Sequence, residues 1–163
     1  QKFWEQKTTQ RKVEPYLVKE NKNRWYLVAK DLRDDEIKTF GLDRISELKQ
    51  ENERFIRPDD EIIDKKFKNA FGVITPNDTE AKKIRLSFNK IQAKYVKSLP
   101  WHHSQKIESE NETDCIFSFY LTPTYDFIQE ILSNGINVKV LEPKSLIDEV
   151  TNIYKKSLGL YDE

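Results

Sequence analysis

The first fifty residues carry their large apolar side chains in short runs, separated by residues that favour turns. The runs Gln10 to Tyr16 and Arg24 to Lys30 flank Asn21-Lys22-Asn23, an order that favours a β-hairpin. A third run, Glu36 to Leu42, alternates imperfectly, and residues 44–48 extend it if Gly41 forms a bend or a bulge. Several short antiparallel strands predict a small β-barrel. Its predicted core consists of Val13, Leu17, Tyr26, Val28, Phe40, Leu42 and Ile45.

From Arg54 to Glu80 the pattern changes to that of a connector. Arg57-Pro58-Asp59-Asp60 indicates a turn or a helix start, and an apolar helical stripe follows it and ends at Gly72. The polar stretch Thr75 to Thr79 is typical of a domain boundary. We therefore predict a barrel over residues 1–53, a helical connector over 54–81 and a second domain over 82–163. The predicted stripe consists of Ile62, Ile63, Phe67, Ala70 and Phe71.

The second domain begins with a strand, a helix and a strand pair. Lys83 to Phe88 alternates as a half-buried strand, and Asn89 is suited to cap the helix that follows and stops at Pro100. Gln105 to Ser109 and Asp114 to Leu121 predict two strands joined through an acidic loop. The apolar residues of the predicted helix are Ile91, Tyr95, Val96 and Leu99.

A helix, a strand and a terminal helix complete this domain. Thr122-Pro123 opens a helix that Gly135 closes, and Ile136, Val138 and Val140 then alternate as a last strand. Pro143 starts the terminal helix. The order βαββαβ, followed by a helix, predicts a ferredoxin-like domain, so the whole chain is predicted to be α+β. The inward-facing residues of the two helices are Phe127, Ile128, Ile131 and Leu132, then Leu146, Ile147, Val150, Ile153 and Tyr154.

Composition restricts the classes of function. With 28 basic and 28 acidic residues among 163, the chain lacks the positive field of a module that holds duplex DNA by its backbone, so any contact with nucleic acid is local. The single cysteine, Cys115, lies in an apolar run and is expected to be a buried structural thiol. Neither a membrane span nor a signal peptide is present in the sequence pattern, so we expect a soluble, cytoplasmic protein. The sequence contains no methionine, so Gln1 need not be a native terminus.

The stretch Asn23 to Ala29 places two large aromatic residues, Trp25 and Tyr26, in a predicted strand, and Arg33, Lys38 and Arg44 follow at intervals. Aromatic faces stack on planar groups such as bases, and cations pair with phosphate. The combination suits a nucleotide or a single-stranded nucleic acid. An apolar strand of a protein core is the alternative explanation of the same run.

These residues resemble a WYL domain. The resemblance rests on Val13 to Leu17, Arg24 to Leu27, Lys38 to Phe40 and Leu42 to Ile45, in that order. The second half is similar to the C-terminal extension of such proteins, called WCX. Its matching segments are Phe71-Gly72, Ile84 to Leu86, Pro100 to Gln105, Gly135 to Pro143 and the closing helix near Leu160-Tyr161.

The resemblance implies a bacterial transcription regulator. Members have an N-terminal winged helix-turn-helix that binds operator DNA, then a WYL domain of Sm-like or SH3-like barrel fold that senses a ligand, then WCX. The WCX domain supports dimerisation or the ligand response. We therefore expect this chain to be a regulatory C-terminal fragment that begins inside or just after the first barrel strand. It would form a homodimer and meet operator DNA only through the N-terminal domain.

The resemblance also implies a ligand site, because members read their signal with a basic and aromatic patch on the barrel. Lys38 and Gly41 depart from that pattern, since members often have arginine at both places. Lysine keeps the charge but loses the planar fork that grips phosphate with two hydrogen bonds, and glycine has no side chain. The matching ligand-binding positions are Tyr16, Trp25, Tyr26, Arg33, Lys38 and Arg44.

Strand geometry assigns these side chains to different faces. Trp25 and Leu27 share one face of the predicted strand, while Tyr26 and Val28 share the other. We predict that Tyr26 and Val28 line the barrel interior and that Trp25 is partly exposed. An ion pair of Arg44 with Asp43 is an alternative role for Arg44. A solvated loop charge is the alternative for Arg33.

Enzymatic functions have little support. His102 and His103 are adjacent and have no paired cysteine or histidine at metal-ligand spacing, so a helix-to-strand turn explains them. The sequence contains neither a glycine-rich phosphate loop nor a nucleophile elbow. We expect no catalytic residue, no metal and no bound cofactor. Besides ligand sensing, a protein-interaction or dimerisation module without a small ligand is the alternative function.

Overall fold

The computed structural model describes residues 8–74 and 80–161. It contains two antiparallel sheets and four α-helices, which confirms the predicted α+β class. The chain divides into two compact units, Gln1–Phe67 and Lys68–Glu163. Each unit has its own sheet and its own buried residues, so each is described by itself.

The sheet of the first unit has three strands, β1 (Val13–Asn21), β2 (Arg24–Asp31) and β3 (Glu36–Gly41), in the order β1-β2-β3. The first hairpin turns through Lys22 and Asn23, whose φ angles are 50° and 61°. Two consecutive residues with positive φ match the twist of the flanking strands. The predicted hairpin is therefore confirmed, with a longer first strand than expected.

After β3 the chain forms a 3-10 helix (Leu42–Arg44) and later helix α1 (Asp60–Phe67). The three strands form an open sheet, and no closed barrel is found in residues 8–74. The Sm-like or SH3-like barrel therefore stays a prediction. The helix ends at Phe67, so the predicted stripe that continued to Ala70 and Phe71 was too long, and Ile62 is exposed while Ile63 is buried.

The predicted core of the first unit is correct at its centre and wrong at one end. Val28 is fully buried, with the neighbouring Ala29. Leu42 is exposed, because the chain leaves the sheet after Gly41 and the strand alternation that predicted its burial ends there. The remaining predicted core residues are half-buried, namely Val13, Leu17, Tyr26, Phe40 and Ile45.

The second unit has a four-stranded sheet of β4 (Lys82–Asn89), β5 (Lys106–Glu110), β6 (Asp114–Leu121) and β7 (Val138–Glu142), in the order β5-β6-β4-β7. Its helices are α2 (Lys90–Ser98), α3 (Tyr125–Ser133) and α4 (Lys144–Leu158). The order βαββαβ with a terminal helix is the predicted one. The specific ferredoxin-like arrangement stays a prediction.

The core of the second unit lies on one face of this sheet. Alternate residues of β4 and β6 are buried, as the period of two requires. Trp101 packs edge-on against Phe88, with ring centroids 5.2 Å apart. Cys115 is buried and free, as predicted. The largest fully buried side chains here are Ile84, Leu86, Phe88, Phe117, Phe119, Leu121, Phe127, Ile131 and Leu146.

Five apolar positions of the second unit differ from the sequence pattern. Ile136 lies in a 3-10 helix (Gly135–Asn137) and is fully exposed, so β7 begins only at Val138. Tyr154 is exposed on α4, although it was predicted to face inward with Leu146 and Val150, which are buried. In α2, Val96 is buried with Ala93, whereas the other apolar residues of the pattern face solvent.

Candidate ligand site on the first sheet

Strand β2 carries the aromatic pair that the sequence singles out. Trp25 is 56% exposed and Val28 is fully buried, as predicted. Tyr26 is half-buried and pairs with Gly41 of β3. Trp25 therefore offers an accessible aromatic surface near the start of the strand, while Tyr26 belongs partly to the core.

At the other end of β2, the carboxylate of Asp31 is fully buried and gathers cations. Arg11 Nη1 lies 2.5 Å from Asp31 Oδ2, and Lys38 Nζ lies 3.3 Å from the same oxygen. The backbone N–H of Arg33 donates to Asp31 Oδ1 at 3.1 Å, and the Arg33 guanidinium lies at 3.4 Å. A buried carboxylate needs such partners, so Asp31 organises the β2–β3 hairpin.

Lys38 has a second acidic partner in the same hairpin. Its ammonium forms an ion pair with Asp34 in addition to Asp31. The hydrogen bond to Asp34 raises the pKa of Lys38, and the hydrogen bond to Asp31 adds to the effect. Arg33 and Lys38 are therefore brought together, and both are held by carboxylates of the protein. Sequence reasoning missed Asp31 and Arg11; an acidic residue at the end of an apolar strand was the available signal.

Gly41 and Arg44 form a second, separate arrangement. Gly41 is buried, and a Cβ placed on it would lie 2.8 Å from Nε and Nη2 of Arg44 and 2.6 Å from Asp43 Oδ1. The Arg44 guanidinium thus occupies the space that a side chain at position 41 would take. The glycine that departs from the family pattern is what admits Arg44 to this position.

Two guanidinium groups flank one carboxylate beside Gly41. Arg44 Nε lies 3.9 Å from Asp43 Oδ1, and Arg24 Nη1 lies 3.9 Å from Asp43 Oδ2. The ion pair that the sequence offered as an alternative role for Arg44 is therefore present. Arg24 directly precedes Trp25 in β2, so strand alternation directs these two side chains to opposite faces of the sheet. Arg24 was not among the predicted ligand residues, although its place beside Trp25 was a visible signal.

Tyr16 lies at a bulge of β1, between Pro15 and Leu17. Its hydroxyl donates to Glu14 Oε2 at 3.2 Å, and its backbone oxygen accepts from Arg57 Nε at 3.0 Å. Burial raises the pKa of the Tyr16 phenol, and the bond to Glu14 adds to the effect.

The six predicted ligand residues therefore do not form one cluster. Lys38 pairs with Ala29, and Gly41 pairs with Tyr26, so the alternation of side chains puts Lys38 on one face and Gly41 on the other. Arg33 and Lys38 meet around Asp31. Arg44 meets Gly41 and Asp43.

Of the two adjacent histidines in the second unit, His102 has a structural role in a turn. The backbone N–H of Ser104 donates to His102 Nδ1 at 3.2 Å, and the Ser104 hydroxyl lies 2.7 Å from the same nitrogen. Burial lowers the pKa of His102, and the neighbouring His103 adds to the effect. Within residues 8–74 and 80–161, no group of three or more His, Cys, Asp or Glu side chains is placed to hold a metal ion.

Two family models match the chain. A WYL domain matches residues 1–50, and a WCX domain matches residues 80–158. The chain therefore belongs to the WYL domain-containing family, as its residues indicated, and it carries a WCX domain after the WYL domain. A WYL domain followed by WCX is the arrangement of a regulator's sensing region.

The chain is also similar to a solved structure, the proteasome accessory factor B/C (PafBC) of Arthrobacter aurescens, with 19% sequence identity and a TM-score of 0.35. The match covers 86% of this chain and 21% of that chain, so the chain spans about a fifth of the length of the protein it matches. No curated protein matches the chain. In the part of the chain that the structure describes, no helix has the length and apolar character needed to cross a membrane.

Proposed function

We propose that this chain is the ligand-sensing and dimerisation region of a bacterial transcription regulator. In this proposal a nucleotide or a short single-stranded nucleic acid binds the WYL sheet and controls an N-terminal domain that binds operator DNA. The matches to WYL and WCX support the regulator class. The chemistry of the sheet supports the class of ligand.

One observation carries the choice of ligand: the first sheet presents the exposed Trp25 and, beside Gly41, the guanidinium groups of Arg24 and Arg44, which share Asp43. An accessible indole is suited to stack on a base, and two guanidinium groups are suited to a phosphate. Stacking on an aromatic side chain contributes roughly 1–3 kcal/mol per base. A nucleotide combines both features in one molecule.

The contacts of Arg24 and Arg44 to Asp43 are long. Charge-assisted hydrogen bonds between nitrogen and oxygen are usually about 2.7–2.9 Å long. Both arginine contacts to Asp43 are 3.9 Å, and all three side chains are at least partly exposed. A phosphate is able to contact the arginines more closely than Asp43 does.

Arg33 and Lys38 have a different role in the proposal. Both are held by Asp31, and Lys38 is also held by Asp34, so a ligand would have to compete with carboxylates of the protein. We therefore assign direct phosphate contact to Arg44 first, and a weaker electrostatic contribution to Arg33 and Lys38. Tyr16 and Tyr26 shape the sheet around the ligand.

Ligand control of the DNA-binding domain requires two states of the dimer. A ligand shifts the equilibrium between two states only by the ratio of its affinities for them. In the proposal, one arrangement of the dimer presents the Arg44 and Trp25 region for binding and the other does not. Binding then favours one spacing of the DNA-binding domains.

The test is a fluorescence titration of the chain with single-stranded oligonucleotides and with linear and cyclic nucleotides. Quenching that disappears in Trp25→Phe identifies Trp25 as the stacked residue. We expect Arg44→Ala to weaken binding about tenfold or more, and Lys38→Ala to weaken it less. Lys139→Ala, which removes an exposed lysine from β7, is the matched control for loss of one charge.

Gly41→Ala is a second variant of the same titration. Its methyl group would lie 2.8 Å from the Arg44 guanidinium, so Arg44 has to move, while the strand keeps its φ of −63°. We expect weaker binding with the sheet intact. Saturable binding that neither Arg44→Ala nor Gly41→Ala weakens would contradict the site. If no probe binds and sedimentation shows a stable dimer, the chain is an interaction module without a small ligand.

A further inference from the structure

Helix α2 exposes three large apolar side chains on its outer face. Ile91, Tyr95 and Leu99 are 72%, 66% and 76% exposed. They follow one another at intervals of four residues, so they form one stripe along the helix and its C-terminal end. We refer to Ile91, Tyr95 and Leu99 as the α2 stripe.

The fold of the second unit does not use the α2 stripe. The helix packs on the core through Ala93 and Val96, which are each 1% exposed. At 100° per residue, Ile91 lies almost opposite these two side chains, and Tyr95 lies about 130° from their mean direction. A helix that only covers a sheet needs polar residues on its outer face, so three large apolar residues there indicate a contact surface.

The α2 stripe is held on a fixed support. Asn89 Oδ1 accepts from the backbone N–H of Gln92 at 2.8 Å and caps the helix. Gln92 Nε2 donates to Asn134 Oδ1, and Asn89 Nδ2 donates to Asn137 Oδ1, both at 2.7 Å. These bonds hold the 3-10 helix of residues 135–137 beside the start of α2. That segment carries the fully exposed Ile136.

The charged side chains of helix α2 itself are all of one sign. Helix α2 contains Lys90, Lys94 and Lys97 and no acidic residue. Lys97 Nζ bonds Glu110 at 2.6 Å, while Lys90 and Lys94 are exposed on the side of the stripe nearer to Lys97. A partner surface that covers the stripe therefore meets positive charge along one border.

We propose that the α2 stripe is a docking site for an acidic amphipathic helix of a partner protein. The partner helix would place apolar residues at intervals of three or four against Ile91, Tyr95 and Leu99, and acidic residues against Lys90 and Lys94. A second copy of α2 is disfavoured because it would bring lysines against lysines without a carboxylate from either helix. This surface is independent of the ligand site on the WYL sheet.

The test uses a labelled synthetic helical peptide with leucine at every fourth position and glutamate along one border. Fluorescence anisotropy measures its binding to the full chain. We expect saturable binding, a loss of about tenfold or more in Tyr95→Ser and in Leu99→Ser, and no binding of the same peptide with lysine in place of glutamate. Leu158→Ser, which changes an exposed leucine of α4, is the matched control.

Charge reversal gives the sharpest outcome. Lys94→Glu should weaken binding of the glutamate peptide and should allow the lysine peptide to bind. Failure of the glutamate peptide to bind, or binding that Tyr95→Ser and Leu99→Ser leave unchanged, overturns the proposal. Sedimentation velocity of the chain is a further test. Self-association that Tyr95→Ser abolishes would show that a second copy occupies the stripe, and this result would also overturn the proposal.

Discussion

At the scale of single residues, one buried carboxylate determines the environment of two predicted ligand cations. The carboxylate of Asp31 is fully buried, and Arg11, Arg33 and Lys38 converge on it. Burial of an ionised group is unfavourable unless its oxygens are hydrogen-bonded. The cations of this hairpin are therefore explained first by Asp31.

Replacement of Asp31 should destabilise the hairpin. Asp31→Asn keeps the shape of the side chain but directs an amide N–H₂ group toward the cations. We expect the free energy of unfolding to fall by about 1–3 kcal/mol. Amide hydrogen exchange in β2 and β3 measures the effect. Asp35→Asn is the matched control, because Asp35 is exposed and has a φ of 58°, which asparagine accepts. Equal protection in the two variants would contradict the role of Asp31.

Alkaline pH should destabilise the first unit through Tyr16. Burial raises the pKa of Tyr16 above its ordinary value of 10.0, so the native state keeps a proton that the unfolded chain loses in this range. Stability is then fully present below pH 10.0 and is lost as the pH rises through the folded pKa. The bonds to Asp35 and to Asp34 raise the pKa of Lys30 and of Lys38, respectively, and act in the same direction.

Tyr16→Phe provides the measurement of this effect. The difference in phenolate absorbance between the native chain and the variant gives the titration of Tyr16. The free energy of unfolding in urea, measured as a function of pH, should fall less above pH 10.0 in Tyr16→Phe than in the unchanged chain. A Tyr16 titration at or below the ordinary value would be inconsistent with its burial beside Glu14.

At the scale of elements, helix α2 has one apolar face that is buried and another that is exposed. Ala93 and Val96 of α2 are buried because they pack in the core, while the stripe opposite them is exposed. Propensity and periodicity predicted the helix, since it begins after a capping residue and ends before a proline. They did not decide which apolar residues are buried, because both sets recur at helical intervals.

Two helix starts of the second unit offer a matched comparison of caps. Asn89 Oδ1 accepts from Gln92 N–H at the start of α2, whereas Thr124 at the start of α3 makes no side-chain cap bond, and its buried hydroxyl has no hydrogen-bond partner. Asn89→Ala should cost about 1 kcal/mol. Thr124→Val should be neutral or stabilising, because it removes an unsatisfied hydroxyl while keeping the shape. Urea denaturation measures both, and equal losses would contradict the assignment of the caps.

At the scale of the whole molecule, the chain consists of two units with separate sheets. The second unit has a core of phenylalanine, leucine and isoleucine from β4, β6, α3 and α4. Such a core indicates that a fragment of residues 68–163 folds alone. This property matters for function because ligand sensing is proposed for the first unit and partner docking for the second.

The fragment should unfold in one cooperative transition, and its core should determine its stability. Phe127 is fully buried, and Phe127→Ala should cost about 3–5 kcal/mol. Tyr125, two residues away in α3, is exposed, so Tyr125→Ala should change stability by no more than about 0.5 kcal/mol. Thermal unfolding followed by circular dichroism distinguishes the two. A fragment without a cooperative transition would contradict independent folding.

The sequence alone determined the features that depend on neighbours along the chain. Alternation in Lys83 to Phe88 predicted a strand with one buried face, Asn89 predicted a helix start, and Asn21 to Asn23 predicted a hairpin, because these patterns follow from local backbone geometry. The family was also visible at this level, since its short motifs occur in order along the chain.

The tertiary structure decided which residues meet across strands and which apolar faces are covered. Register put Lys38 and Gly41 on opposite faces, burial made Asp31 the centre of a cation cluster, and the absence of a side chain at Gly41 brought Arg44 over the strand. Packing likewise left Ile91, Tyr95 and Leu99 uncovered. These outcomes depend on contacts between residues distant in sequence, and local patterns of apolar and polar residues do not contain that information.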